Sequence, residues 1–407
     1  MSDVLTRGPA AGEKPSVTRY WQGVDALARG DIREAETAFH DSMRMDSTWY
    51  GPLLGLADAA VKDGRPRDAD SWLERATEMA PRSVEVAIAR GRFYFMQGQP
   101  VKAEAAYKTA ISLDEEAFLP HLDLADLYLQ NLWKPQEAVA AYQTVLRMNP
   151  DHAGAHYGLG VALVATGEPD EAITELNASI ALEPKNPLPH VALGKLYQSL
   201  GEYHEAVAAF SRALDVKPDF AIVHVYRGDA LAATGDVNAA IVAYQAAIEA
   251  APKLNIAYFK LGSIYQFLQR WDEAESAFLK ATETDPRDAR AFNNLAWLAA
   301  ERNERLDDAL AWAARAVELS PDVATYQDTL GWVLRARDEP DKAIEVLEKA
   351  SAADPKLADI PYHLGIIYSE QGKKREAIAA FKKALKADSD FSNAVDAANR
   401  IEALSTN

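Results

Sequence analysis

The chain has no cysteine among its 407 residues. Disulfides and thiolate metal sites are therefore excluded, although this lack does not choose a compartment. No apolar run approaches the roughly 20 residues that span a bilayer, so a transmembrane helix is excluded as well. Basic residues are in deficit, with 43 Lys and Arg against 61 Asp and Glu and a formal charge of −18. A surface that tracks phosphates needs the opposite sign, which argues against a nucleic-acid partner. The basic cluster Lys373, Lys374, Arg375, Lys382, Lys383 and Lys386 is local and reads as a solvated face. No Gly-rich phosphate loop, nucleophile elbow or HExxH motif occurs. The first fifteen residues, MSDVLTRGPAAGEKP, lack the apolar region of an export signal. They read as a flexible tail, 1–15. The expected compartment is the cytoplasm, or the periplasm if a signal segment has been removed.

What is present is a period. Ala35, Ala69, Ala103, Ala138, Ala172, Ala206, Ala240, Ala274, Ala309, Ala343 and Ala377 recur every 34 residues, with 35 at the 103→138 and 274→309 steps. A single compact domain gives no reason for such a spacing, whereas a stack of identical helix pairs does. The fuller pattern is clearest in residues 187–220. His190, Leu193, Gly194 and Tyr197 mark one helical face. Gly201 follows as a left-handed cap, and a second stripe runs through Ala206, Phe210, Ala213 and Leu214 to Pro218. The same text returns at Leu261–Gly262–Tyr265 with Ala274, Phe278 and Ala281, and at Leu364–Gly365–Tyr368 with Ala377, Phe381 and Ala384.

These spaced Leu-Gly, Tyr, Ala, Phe and Pro positions resemble the tetratricopeptide repeat family. The resemblance implies an all-α, right-handed superhelical solenoid. About eleven helix pairs start near residues 16, 50, 84, 118, 153, 187, 221, 255, 289, 324 and 358, giving an array over 16–391. A capping helix and tail over 392–407 would cover the last outer face. Repeats 1, 2 and 4 lack the Leu-Gly pair, with Gln22–Gly23, Leu56–Ala57 and Leu124–Ala125 in its place. The one-residue insertions fall inside the turns of repeats 4 and 9, in 130–138 and 300–309, and read as loop drift or as a local rim feature.

The resemblance also places the second, fifth, ninth and twelfth positions of each first helix on a concave binding face. In the early repeats these include Tyr20, Val24, Leu122, Tyr157 and Val161. In the middle repeats they include Leu188, Val191, Ile222, Val225, Ile256 and Phe259. A largely apolar trough of this kind marks a partner site unless neighbouring helices already cover it. Repeats 9 and 10 change character with Arg290, Asn293, Trp297, Asp328 and Trp332, and with Asn294 beside them. Asn amides can bond an extended peptide backbone, and Trp is a rigid anchor. Trp297 and Trp332 could equally be junction core. The basic-and-Asn clamp that some family members use for acidic tails does not carry over, because Phe259, Ser263, Thr325 and Thr329 stand where its partners would be.

His121, His156, His190 and His224 occupy the fourth position of consecutive repeats. Stacked helix pairs lie about 8–10 Å apart, too far for one metal to join two rungs. Packing in place of an aromatic explains them better, and the pair His152 and His156 lacks a nearby carboxylate at the right spacing. No metal and no cofactor is expected. The reading is a non-enzymatic scaffold that mediates protein–protein interaction by holding a protein or peptide partner, with homo-oligomerisation left open. Two other readings are an architectural subunit of a bacterial envelope or polysaccharide-export assembly, and a carbohydrate-handling protein acting through Trp297, Asp328 and Asp359.

Overall fold

The computed structural model describes residues 14–406, which contain 23 α-helices and no strand. The helices fall into two compact units that divide within α11 at Leu196/Tyr197. The first unit holds α1 (Pro15–Arg29), α2 (Ile32–Met45), α3 (Gly51–Lys62), α4 (Pro66–Met79), α5 (Val84–Met96), α6 (Pro100–Leu113), α7 (Phe118–Gln130), α8 (Pro135–Met148), α9 (Ala153–Thr166), α10 (Pro169–Leu182) and most of α11 (Leu188–Ser199). The second holds α12 (Tyr203–Val216), α13 (Ala221–Ala233), α14 (Val237–Ala250), α15 (Asn255–Phe267), α16 (Trp271–Thr284), α17 (Ala289–Arg302), α18 (Leu306–Leu319), α19 (Ala324–Ala336), α20 (Pro340–Ala353), α21 (Asp359–Glu370), α22 (Lys374–Ala387) and α23 (Ala394–Thr406). This is an all-α solenoid of helix pairs. The expected tail lies outside the described residues over 1–13, and α1 already starts at Pro15, where a proline's fixed φ suits the first helical turn.

Sequence dictates both the turns and the stacking. The turn inside each pair carries a residue with positive φ. Glycine fills it at seven places, such as Gly201 (φ 79°). Trp133, Gln269, Asn303, Arg305 and Asp338 fill the others, and Trp133, Asn303 and Arg305 sit in the two longer turns. Every alanine of the ladder is fully buried, from Ala35 to Ala377 at 0% exposure. The small side chain there lets each second helix seat closely on its neighbours.

First helices of successive pairs also meet. In the first unit α1 touches α3, and the series continues through α5 and α7 to α9. In the second unit α13 touches α15, and α17 touches α19, which touches α21. Their outward positions therefore form a face in each unit. Finally, α23 packs on α22 through Ala397, Ile401 and Leu404. Among the described residues no helix is long and apolar enough to cross a membrane.

Candidate functional site

In the first unit the face of the first helices begins with Tyr20. Its ring meets Trp49 at 4.9 Å and Phe39 at 5.5 Å between centroids. Burial, and then the negative charge of Asp58, push its phenol up to about 12. Val24 packs on the same Phe39 cluster. Leu122 packs on the core that holds Tyr128 and Tyr142. Tyr157, Val161 and Val191 are half-buried, and Leu188 is 44% exposed at the start of α11.

The apolar trough expected from the sequence is interrupted by charge. Asp58, Arg92 and Asp126 occupy the same repeat position as Val24 and Val161, and sequence reasoning passed over them. The 34-residue period that located Val24 points to all three. Arg92 Nε donates to Asp123 Oδ2 at 2.7 Å, and Tyr142 Oη donates to Asp126 Oδ1 at 2.5 Å. Burial holds the Asp126 carboxyl above the usual range. Burial also pushes Asp58 up to about 6, against the opposing pull of Arg92 and Lys62.

In the second unit Ile222, Ile256 and Phe259 are half-buried on the core around Phe278. Val225 does not belong to the surface. It is 2% exposed, a core residue where the repeat pattern suggested a lining one. Here too a charge pair lies alongside, with Lys260 Nζ 2.9 Å from Asp229 Oδ1 and Tyr244 Oη donating to the same oxygen at 2.7 Å.

The arrangement then becomes polar and aromatic. Asp288 caps α17, accepting from the Arg290 backbone N–H at 3.1 Å. The same carboxylate takes two bonds from the Arg290 side chain, both 2.9 Å. This fixes the guanidinium, whose Cζ sits 4.5 Å from the Phe259 ring centre. One turn further along α17, Asn293 faces Asn294 at a marginal 3.5 Å, and the buried Oδ1 of Asn293 has no hydrogen-bond partner. Another turn on lies Trp297, half-buried and stacked on Trp332 at 5.8 Å and 15°.

Trp332 and Asp328 are not groove residues. Trp332 is 9% exposed and Asp328 6%. The Trp332 indole N–H donates to Glu301 Oε1 at 2.6 Å, and Arg335 stands 4.3 Å from its ring centre. Asp328 lies 2.8 Å from the Nδ1 of buried His363, whose ring is 4.5 Å from Trp332. The Asp328 carboxylate is thus buried and already bonded, whereas Asp359 at the start of α21 is exposed. The two helices α19 and α21 back the stack, and Trp297 is its more exposed ring.

The histidine ladder has a local role. His121, His156 and His224 bond the backbone carbonyl six residues earlier, at Glu115, Pro150 and Pro218, over 3.0, 2.8 and 2.8 Å. Tyr258 and Gln327 do the same to Pro252 and Pro321. His152 accepts from the Ala155 N–H at 2.9 Å as the cap of α9, and His156 Nδ1 lies 2.6 Å from Glu175 Oε2 on α10, a carboxylate that the spacing did not reveal. Among the described residues no group of three His, Asp or Glu side chains is placed to hold a metal.

Comparison with known proteins agrees with this geometry. A tetratricopeptide repeat family model matches residues 54–118, 122–187, 191–255 and 259–324. Two further tetratricopeptide repeat models match 334–401 and 16–41. The anaphase-promoting complex subunit 3 of Schizosaccharomyces pombe is 27% identical over 139 residues, 34% of this chain and 21% of that protein. The protein O-mannosyl-transferase TMTC3 of Homo sapiens is 28% identical over 145 residues, 32% of this chain and 16% of that protein. The chain therefore spans about a fifth or less of the curated relatives it matches. A tetratricopeptide repeat protein from Parabacteroides merdae is 22% identical in a solved structure, covering 63% of this chain and 99% of that one with a TM-score of 0.48.

Proposed function

Because the chain belongs to the tetratricopeptide repeat family, we propose that it is a non-enzymatic scaffold whose concave face of first helices holds a partner protein. The segment held is extended and carries apolar side chains. The observation that carries this reading is the patch formed by Phe259, Arg290, Asn293 and Trp297. Arg290 is pinned over Phe259 by Asp288, and Trp297 is pinned by Trp332, so two large groups are ordered before a partner arrives. Pre-ordered aromatic groups bind at low entropic cost. Between them the Asn293 amide N–H, engaged only by a marginal 3.5 Å contact to Asn294, can donate to a peptide carbonyl. In the first unit Tyr20, Val24, Leu122, Tyr157, Val161, Leu188 and Val191 extend the reading, and Ile222 and Ile256 extend it in the second. The acidic balance of the chain favours a segment with basic flanks.

The test is selection of peptides from a display library on the full chain, followed by measured affinity for variants. Trp297→Ala and Asn293→Ala should each weaken a selected peptide by about tenfold, the equivalent of ~1.4 kcal/mol. Val242→Glu, at a 61% exposed position on the second helix α14, should leave it unchanged. Peptides that ignore Trp297 and Asn293 while responding to Val242 would remove the first-helix face from the account.

A further inference from the structure

A cavity of about 300 Å³ lies between α5 and α6, closed by Thr77 of α4 and by Ala80, Pro81 and Ser83 in the turn before α5. It is a separate feature from the patch above, which is built on α15 and α17 of the second unit. Val86, Ala87 and Ala106 give it an apolar lining. Two cations reach it. Arg90 donates to Tyr94 Oη at 2.8 Å and to Thr77 Oγ1 at 3.4 Å, both neutral groups. Lys102 Nζ stands 5.3 Å from the centre of the same Tyr94 ring, and Arg90 Cζ 5.6 Å from it.

Neither cation has an acidic partner among the described residues, and no Asp or Glu lines the cavity. Lys102 is exposed and shares this with Arg33, Arg67 and Arg82, but for the partly buried Arg90 it is unusual within this unit. Arg19, Arg65 and Arg92, all partly buried, are each paired to a carboxylate. It is more unusual still in a chain with 61 acidic and 43 basic residues. Both cations line one cavity that no acid lines, so an anion entering it would meet positive charge without competition. A guanidinium presents its donors as a planar fork suited to a carboxylate, and an ammonium adds a point charge without fixed direction. The weak 3.4 Å bond to Thr77 is the one such a ligand would displace.

We propose that this cavity binds an organic anion, a carboxylate carried on a short apolar stem. Arg90 and Lys102 hold the carboxylate, and the Val86, Ala87 and Ala106 wall covers the stem. Two sources supply that chemistry, a free small acid or an acidic side chain of a bound peptide, and the probes separate them. Calorimetric titration of the full chain would use 3-phenylpropanoate, acetyl-Phe-Glu-amide and the uncharged 3-phenylpropanol. At least one acid should bind, with the alcohol about tenfold weaker or more. Binding of the free acid alone assigns a small-molecule source, and binding of the blocked dipeptide alone assigns a peptide source. Arg90→Gln/Lys102→Gln should lose about tenfold in affinity, and so should Ala106→Leu, which fills the cavity and keeps both charges. Circular dichroism confirms that each variant is folded. Failure of both acids to bind at millimolar concentration overturns the proposal, as does binding that both variants leave unchanged.

Discussion

Gly262 on α15 sits against the ring of Phe278 on α16, so closely that a Cβ on Gly262 would stand 2.7 Å from Cδ1 and Cε1. Gly23 and Phe39, Gly91 and Tyr107, Gly228 and Tyr244, and Gly365 and Phe381 repeat the relationship, always sixteen residues apart. The Leu-Gly signature of the first helix and the aromatic of the second are therefore one contact seen twice in the sequence. Phe278 is fully buried and cannot swing into solvent. Gly262→Ala should destabilise the local pair by about 1–3 kcal/mol through overpacking. Adding Phe278→Leu should restore part of the loss. Hydrogen exchange of the α15–α16 amides measures both, because a repeat array opens locally.

The turns make the opposite prediction. Gln269 (φ 56°) and Asp338 (φ 62°) adopt the left-handed conformation that glycine fills in seven other turns. A side chain there is strained by roughly 1–2 kcal/mol, and glycine gives back part of the relief as extra freedom in the unfolded chain. Gln269→Gly and Asp338→Gly should each stabilise by about 0.5–1 kcal/mol. Denaturant midpoints that fall in both variants would contradict this.

The sequence made the helices, their pairing and the buried alanines legible because each is repeated, and repetition separates packing from accident. Ala206 and Ala274 are predictable from their spacing, and both are at 0% exposure. The face was less legible. Val225 and Val191 hold equivalent repeat positions, yet one is 2% exposed and the other half-buried. Repeat position fixes the direction in which a side chain leaves its helix, whereas exposure depends on neighbouring helices that the period does not describe. Trp297 and Trp332 show the same limit. They stack on each other, and only the network of Glu301, Asp328 and His363 decides which of the two is inside.

The His224–Pro218 bond gives the histidine ladder a stability role. Nε2 donates to the proline carbonyl at 2.8 Å and ties the start of α13 to the turn before it. His224→Ala should cost about 0.5–1.5 kcal/mol, the usual net value of one hydrogen bond. His224→Gln should cost less, because Gln327 makes the equivalent bond to Pro321 with its side-chain amide at 2.9 Å. Added zinc should leave the melting curve of the wild-type chain unmoved. A zinc-dependent rise lost in His224→Gln would put a metal where this account has a hydrogen bond.

Asp58 should leave a signature in the dependence of stability on pH. Burial raises its carboxyl from 3.8 to about 6 in the folded chain. A group raised by folding binds its proton more tightly in the native state. Its contribution is therefore favourable below about pH 4, declines as pH rises toward 6, and above that is a constant penalty. The size is about 1–3 kcal/mol once solvent screening of a half-buried side chain is allowed for. Asp58→Asn removes the titration and keeps the shape. The difference in unfolding free energy, variant minus wild type, should grow between pH 4 and 6 and then level off. A difference that stays flat across that window would mean that Asp58 is as well solvated as a free carboxylate, and that the charge facing Tyr20 is not a buried one.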